Sequence, residues 1–481
     1  MDQEKMPLLQ ALENHLKRQP VSFHVPGHKN GTLFPPTYGK YFKEIAAIDQ
    51  TELTGLDDLH DPTGPIQEAQ MLTAELFGAV ESIFLVGGST SGNLAMIMGA
   101  FREGETVLVQ RDVHKSVING LRLANARPVF IFPEYEESSH LSLGLSVDKV
   151  KEAFLRYPEA KGLIITSPTY YGWTPPLEPI IQVAKAYDAI VLVDEAHGAH
   201  FVANDCFPSS ALAAGADVVV QSAHKTLPAL TMGAYLHIGT TDTNLRQSVK
   251  EKAALIQSSS PSYPIMASLD LARKYVYDVA KIDKHALRET LVETSKRMER
   301  ETGLKSVTPP APIKRDLLKC VLQAPTGYSG WTFARYLEAN DLYPELADNK
   351  HVLLILPLSI QPLSTTLYEK IKVAVTKMKK EVKRTEFPNI IIPSFDLAPF
   401  DQLSVPIKEQ MDIPLEKAYG KRTATDLIPY PPGIPLFFKG ELLTGKRYEA
   451  LIQWLRQGGR VQGGLQDDQG KWFVPIIQNE G

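Results

Sequence analysis

Cysteine is nearly absent from this sequence: Cys206 and Cys320 are the only two in 481 residues, far apart and outside any CxxC spacing. That argues against a disulfide framework or a thiolate metal site and predicts two free thiols in a reducing compartment. A cationic surplus is missing too. Lys and Arg number 51 against 55 Asp and Glu, a net charge of -4. Such a chain has no field to hold a polyanion by counterion release, so nucleic acid is not an expected partner, whereas a cationic small molecule is acceptable. Long apolar runs are also lacking. None approaches the ~20 residues needed to cross a bilayer, and the opening MDQEKMPLLQALENHLKRQ mixes acids and bases where a signal peptide would be apolar. The expected location is the cytoplasm, without membrane association. Internal repeats and low-complexity tracts are absent as well.

What is present fits a folded, multi-domain chain. Hydrophobic residues make up 43% and charged residues 22%, close to the averages for globular domains, and the length exceeds what one compact core accommodates. From about Ser82 to His237 the short apolar runs SIFLV, TVLV, PVFIF, GLIIT, AIVLV, DVVVQ and GAYLHI alternate with amphipathic stretches. This is a βαβ rhythm. Runs that are apolar throughout predict a mostly parallel sheet covered on both faces, with ligands beyond the carboxyl ends of its strands. The fold class expected is therefore α/β. Residues 242–300 read as helical, broken by SSSPSYP at 258–264. The predicted division is an N-terminal arm over 1–30, a large domain over 31–285, a small α/β domain over 286–385 and a C-terminal α+β domain over 386–481.

Strand ends are where chemistry is expected. Ser222-Ala223-His224-Lys225 follows DVVVQ directly, and a lysine at a buried strand end is costly unless chemistry or a partner compensates it. A desolvated amine there can form a Schiff base with an aldehyde cofactor, although an isolated lysine is far more often a solvated loop residue. Upstream, AIVLV runs into Asp194-Glu195-Ala196-His197. An aspartate there could keep a pyridine nitrogen protonated, or simply cap a helix or bind a metal. Gly87-Gly88-Ser89-Thr90-Ser91-Gly92-Asn93 lies between SIFLV and the helical pattern NLAMIMGAF. A strand, a Gly/Ser-rich turn and a helix can cradle a phosphate, while a serine-rich cap is the plainer reading. After TVLV comes Arg111-Asp112-Val113-His114, where an imidazole could stack on a flat ring or be merely structural. Cradle, His, acid and Lys recur in that order at successive strand ends, which is the combination that pyridoxal 5'-phosphate (PLP) requires.

With those anchors in place the wording becomes specific. FHVPGHKNG (23–31), GLDDLHDPTGPIQEAQ (55–70), VQRDVHKS (109–116), SPTYYG (167–172), VLVDEAHGAH (191–200), QSAHKTLPALT (221–231) and YPPGIPLFFKGE (430–441) resemble the Orn/Lys/Arg decarboxylases, fold type I PLP enzymes. The likeness is to short bacterial forms without the N-terminal response-regulator-like domain. The resemblance implies a decarboxylase (carboxy-lyase) converting a basic L-amino acid, arginine or lysine before ornithine, to an amine and CO2, and so feeding polyamine metabolism. It makes Lys225 the Schiff-base lysine, Asp194 the partner of the pyridine nitrogen and His114 the stacking ring. Ser89, Thr90, Ser91, Ser222 and His224 fall near the phosphate, Ala196 beside the cofactor, and Lys225 or His197 would protonate Cα. An active site at a homodimer interface is implied too, with Ser259 or Ser260 reaching the partner's phosphate. One departure stands out. After ALT the chain reads Met232-Gly233-Ala234-Tyr235, where members often carry Gln and then Ser.

Glu52, Asp57, Asp58 and Asp61 form an acidic cluster that could receive the substrate's distal cation or be a solvated loop. Rival readings have weaker support. DEAH at 194–197 matches a helicase Walker B box, but Asn93 stands where a P-loop needs Lys. Asp194, His197 and His200, with His24 and His28, could suit a metal hydrolase, which leaves Lys225 without a role; no metal is expected. Another fold type I enzyme, an aminotransferase or lyase, would use the same anchors, as would an idle paralogue.

Overall fold

The structure, a computed structural model, describes residues 1–382, 398–399, 409–430 and 433–478. It divides into two compact units, Met1–Arg102 with Asp188–Lys284, and Glu103–Tyr187 with His285–Gly481. Along the chain the principal strands are β1 (Glu81–Leu85), β2 (Thr106–Gln110), β3 (Arg127–Ile131), β4 (Gly162–Thr166), β5 (Ile190–Asp194), β6 (Val218–Gln221) and β7 (Ala234–Ile238). They fall on the seven apolar runs. Every residue of β4, β6 and β7 is buried, which is why these strands show no polar alternation.

The first unit carries four of them in the order β1-β7-β6-β5. β5 and β6 are parallel, with Leu192 opposite Val218 and Asp194 opposite Val220. β7 is antiparallel to both β6 and β1. The longer helices of this unit are α1 (Pro7–Lys17), α2 (Pro65–Phe77), α3 (Gly88–Ala100), α4 (Thr243–Ile256) and α5 (Tyr263–Lys281). The α4–α5 break falls on SSSPSYP, where Ser262 leads into Pro264 in the first turn of α5. α3 lies directly on the sheet because residue 92 has no side chain. A Cβ there would stand 2.4 Å from Val220 Cγ2 and 2.7 Å from Leu85 Cδ1. The first residues are tied to α5: Arg273, fully buried, donates to the Gln3 carbonyl at 2.7 Å and pairs with buried Asp270 at 2.7 Å. Asp270 also accepts the Leu8 N–H at 3.1 Å.

In the second unit β2 is central and parallel to both β4 and β3. Further along, Lys319–Gln323, His351–Ile355 and Leu346–Ala347 form a small antiparallel sheet with helices Gly330–Glu338 and Thr365–Glu381. The C-terminal part pairs Gln410–Pro414 and Leu465–Gln466 with Trp472–Ile477 over a core that includes Leu427, Phe437 and Leu451. The division predicted between residues 385 and 386 lies outside the described residues, as do Pro431 and Pro432 of YPPGIPLFFKGE. Among the described residues no helix is long and apolar enough to cross a membrane.

Candidate active site

Two parallel strands of the first unit end side by side and supply its ionisable groups. β5 terminates on Asp194, 3% exposed. β6 runs into Ser222, whose N–H donates to the Ala196 carbonyl at 3.3 Å. The short helical turn Ala223–Thr226 then presents Lys225. Its Nζ lies 3.1 Å from Nε2 of His197, itself buried at 5% exposure. An amine and an imidazole at that distance can hold one proton between them. Asp194 receives one donor on each oxygen: the Ala196 N–H reaches Oδ1 at 3.1 Å and Asn93 Nδ2 reaches Oδ2 at 2.9 Å.

Beside these groups is the start of α3. The helix begins at Gly88, five residues before the expected pattern, so the Gly/Ser-rich stretch forms its first turns rather than a loop ahead of it. Gly88 adopts φ +75°, a backbone state glycine reaches without penalty, and its N–H donates to the Met232 carbonyl at 2.8 Å. Ser222 Oγ donates to Ser89 Oγ at 2.7 Å. Ser91 turns back to the Gly88 carbonyl at 2.8 Å, and Thr90 is exposed. His224 meets the Gly233 carbonyl through Nδ1 at 2.9 Å. The Met232-Gly233 departure therefore holds both the helix start and His224, with Met232 at φ +76°.

This arrangement fits PLP on its own geometry. A Cβ built on Gly88 would meet nothing within 4 Å, so there is room at a helix start lined by hydroxyls, where N–H groups and the helix dipole favour a dianion. A strand-end amine and a strand-end carboxylate stand on the same sheet.

The remaining predicted residues have the following settings. His114 belongs to the second unit, where its Nδ1 accepts the Ser116 N–H at 3.2 Å and caps helix Lys115–Ala124. Its ring borders Gly433, since a Cβ there would be 3.5 Å from His114 Cδ2. Asp57 accepts the N–H groups of Thr63, Gly64, Ile66 and Gln67 at 2.8–3.1 Å and so caps α2. Asp58 accepts the His60 N–H at 2.8 Å. Ser259 and Ser260 are exposed. His28 pairs with Asp49 at 3.2 Å, and His200 packs edge-on against Phe201 and Phe207. Among the described residues no three His, Cys, Asp or Glu side chains gather as a metal site.

Sequence reasoning missed a polar chain on the other side of the strand ends. Ser82 Oγ lies 2.7 Å from His237 Nδ1, His237 Nε2 lies 3.2 Å from Gln221 Oε1, and Gln221 Nε2 donates to Glu195 Oε2 at 2.7 Å. The Ala211 N–H closes the chain on Glu195 Oε1 at 2.8 Å. Burial pushes Glu195 up to about 8 and His237 down to about 3. The available signal was polar letters inside the apolar runs SIFLV, DVVVQ and GAYLHI.

A mostly parallel sheet with lysine, acid and hydroxyl-lined helix start at its strand ends defines a class, the fold type I PLP-dependent enzymes. Within it, the chain belongs to the Orn/Lys/Arg decarboxylase family: the family's major domain matches residues 6–326 and its C-terminal domain residues 387–465. It is 42% identical to the uncharacterized protein YaaO of Bacillus subtilis (strain 168), over 98% of this chain and 99% of that protein. It is 33% identical to the arginine decarboxylase of the same organism, over 100% and 99% of the two chains. Among solved structures, the constitutive lysine decarboxylase of E. coli superposes with a TM-score of 0.80 at 20% identity, covering 99% of this chain and 82% of that one.

Proposed function

We propose that this protein is a PLP-dependent decarboxylase that converts a basic L-amino acid, arginine or lysine ahead of ornithine, to the corresponding amine and CO2. The observation that carries the reading is Lys225 Nζ at 3.1 Å from His197 Nε2, in the turn that follows the strand next to the one ending at Asp194. Lys225 would hold the cofactor covalently. Asp194 would face the pyridine nitrogen, Ala196 would lie beside the ring, and Ser89, Thr90, Ser91, Ser222 and His224 would hold the phosphate. For His114 the assignment as the stacking ring rests on family resemblance. PLP, when bound, supplies an electron sink for the pair left on Cα as the carboxylate departs. The protein's part is to hold the leaving carboxylate perpendicular to the ring, exclude water, and return a proton to Cα from Lys225 Nζ or His197 Nε2.

We extend the reading to a homodimer in the cytoplasm. Val21, Phe23, Val25, Leu33, Tyr38, Tyr41 and Phe42 are 56–92% exposed in the single chain, and clustered exposed apolar side chains mark interaction surfaces. Cys206 and Cys320 are free thiols, in keeping with a reducing compartment.

The test is borohydride reduction of the cofactor-replete protein and peptide mapping, followed by incubation with L-arginine, L-lysine and L-ornithine separately. The expected results are a pyridoxyl tag on Lys225 and release of CO2 with agmatine or a diamine. Lys225→Ala should lose the tag and lower kcat at least ~10³-fold. A keto acid as product would replace decarboxylation by transamination, and a tag on another lysine would overturn the site.

A further inference from the structure

An amide side chain in the first turns of a buried helix calls for an explanation. Asn93 is 1% exposed, sits in α3 among Gly92, Ala95, Met96 and Ile97, all buried, and is a poor helix former whose burial costs free energy unless it is hydrogen-bonded. Its Nδ2 meets Asp194 Oδ2 at 2.9 Å, across the contact between α3 and the sheet that Gly92 makes possible. The other oxygen of Asp194 is engaged by the Ala196 N–H at 3.1 Å. The two donors come from different directions, one from the helix and one from the chain just past β5. Together they set the plane of the carboxylate and leave lone pairs on both oxygens.

We propose that Asn93 is a positioning residue for the cofactor: it orients Asp194 so that the carboxylate meets the pyridine nitrogen in its ionised, correctly turned form. This rests on the reading of Asp194 given above. Asn93 touches no reacting atom and acts only through the acid. The α3 start that would hold the phosphate also carries, five residues on, the amide that holds the acid, so one rigid helix sets both ends of the cofactor. Loss of the amide should therefore change the electronic state of the bound cofactor more than its retention.

Two variants of the full-length holoprotein test this. Asn93→Leu keeps the volume and removes the donor. It should lower kcat ~10–100-fold with KM changed less than ~3-fold, and should alter the pH titration of the cofactor's visible spectrum. Asn93→Asp is nearly isosteric, so it retains the packing if Leu does not. At low pH its protonated carboxyl can donate to Asp194, whereas at higher pH it becomes a second anion beside it. Its activity optimum should move to lower pH, where the carboxyl still donates, whereas the added anion favours protonated cofactor nitrogens and should move the spectral titration to higher pH than in the wild type. A purely structural amide would change thermal stability and leave the spectral titration where it was. The proposal is overturned if either folded variant titrates as the wild type does. If instead the wild type itself carries no cofactor on Lys225, it is the functional reading that has failed, and the two failures are distinguishable.

Discussion

At the residue scale the most consequential feature outside the cofactor groups is Glu195. It is fully buried, and its donors among the described residues, the Ala211 N–H and the Gln221 amide, are neutral. Burial raises its carboxyl from the ordinary 4.5 to about 8, against the two neutral hydrogen bonds that favour the ionised form. The folded protein therefore binds this proton more tightly than the unfolded chain does. Stability from Glu195 is complete below the ordinary carboxylate range, falls as pH rises from there, and is lost above about 8. Calorimetry of the holoprotein at about pH 5.5 and about pH 8.5 checks this: Glu195→Gln should lose less stability between the two than the wild type. An equal loss would mean that other groups carry the dependence. The same residue shows where reading by letters stops. Asp194 and Glu195 are adjacent carboxylates at one strand end, yet Asp194 meets α3 through Asn93 and Glu195 meets Gln221 and Ala211. Nothing in the string DEAH ranks one above the other, because their environments come from segments about 100 and about 20 residues away.

At the element scale, α3 and α2 depend on single positions. Replacing Gly92 by Ala would drive a methyl to 2.4 Å from Val220. The helix or the strand must move, at a cost of ~1–3 kcal/mol, measurable by denaturant unfolding. Because α3 would hold both the phosphate and Asn93, cofactor affinity should fall in the same variant. Asp57 takes four backbone N–H groups at the start of α2, more than an ordinary cap. Asp57→Ala should cost ~1–2 kcal/mol, seen as a lower Tm. If Asp57 instead receives the substrate cation, the variant would raise KM with stability unchanged. Elements were well foreshadowed by composition. GLIIT coincides with β4 at both ends, TVLV, DVVVQ and GAYLHI differ from their strands by one residue at one end, and SIFLV, PVFIF and AIVLV are shifted by one residue. Their pairing was not. GAYLHI and SIFLV read like the parallel strands but lie antiparallel to their neighbours, since burial on both faces gives the same apolar run in either direction.

At the scale of the whole molecule, the exposed apolar residues from Val21 to Phe42 should be covered by a second copy of the chain. Light scattering of the wild type should give a dimer or a multiple of it, and Phe23→Asp should shift the population toward monomer with loss of activity; an unchanged mass would remove this segment from the interface. The sequence by itself determined the class of chemistry, because a Schiff-base lysine, an acid and a phosphate-binding helix start each need a particular residue type just beyond a strand, and strands of branched apolar residues declare themselves locally. It determined family membership through motifs spread along almost the entire chain. Only the tertiary structure decided which polar residues work together: Lys225 with His197, Asn93 with Asp194, Ser89 with Ser222, and Glu195 with the chain ending at Ser82. These partners lie from 26 to 155 positions apart in sequence, and hydrogen bonds form between groups a few ångströms apart in space, a condition that no local pattern of residues encodes.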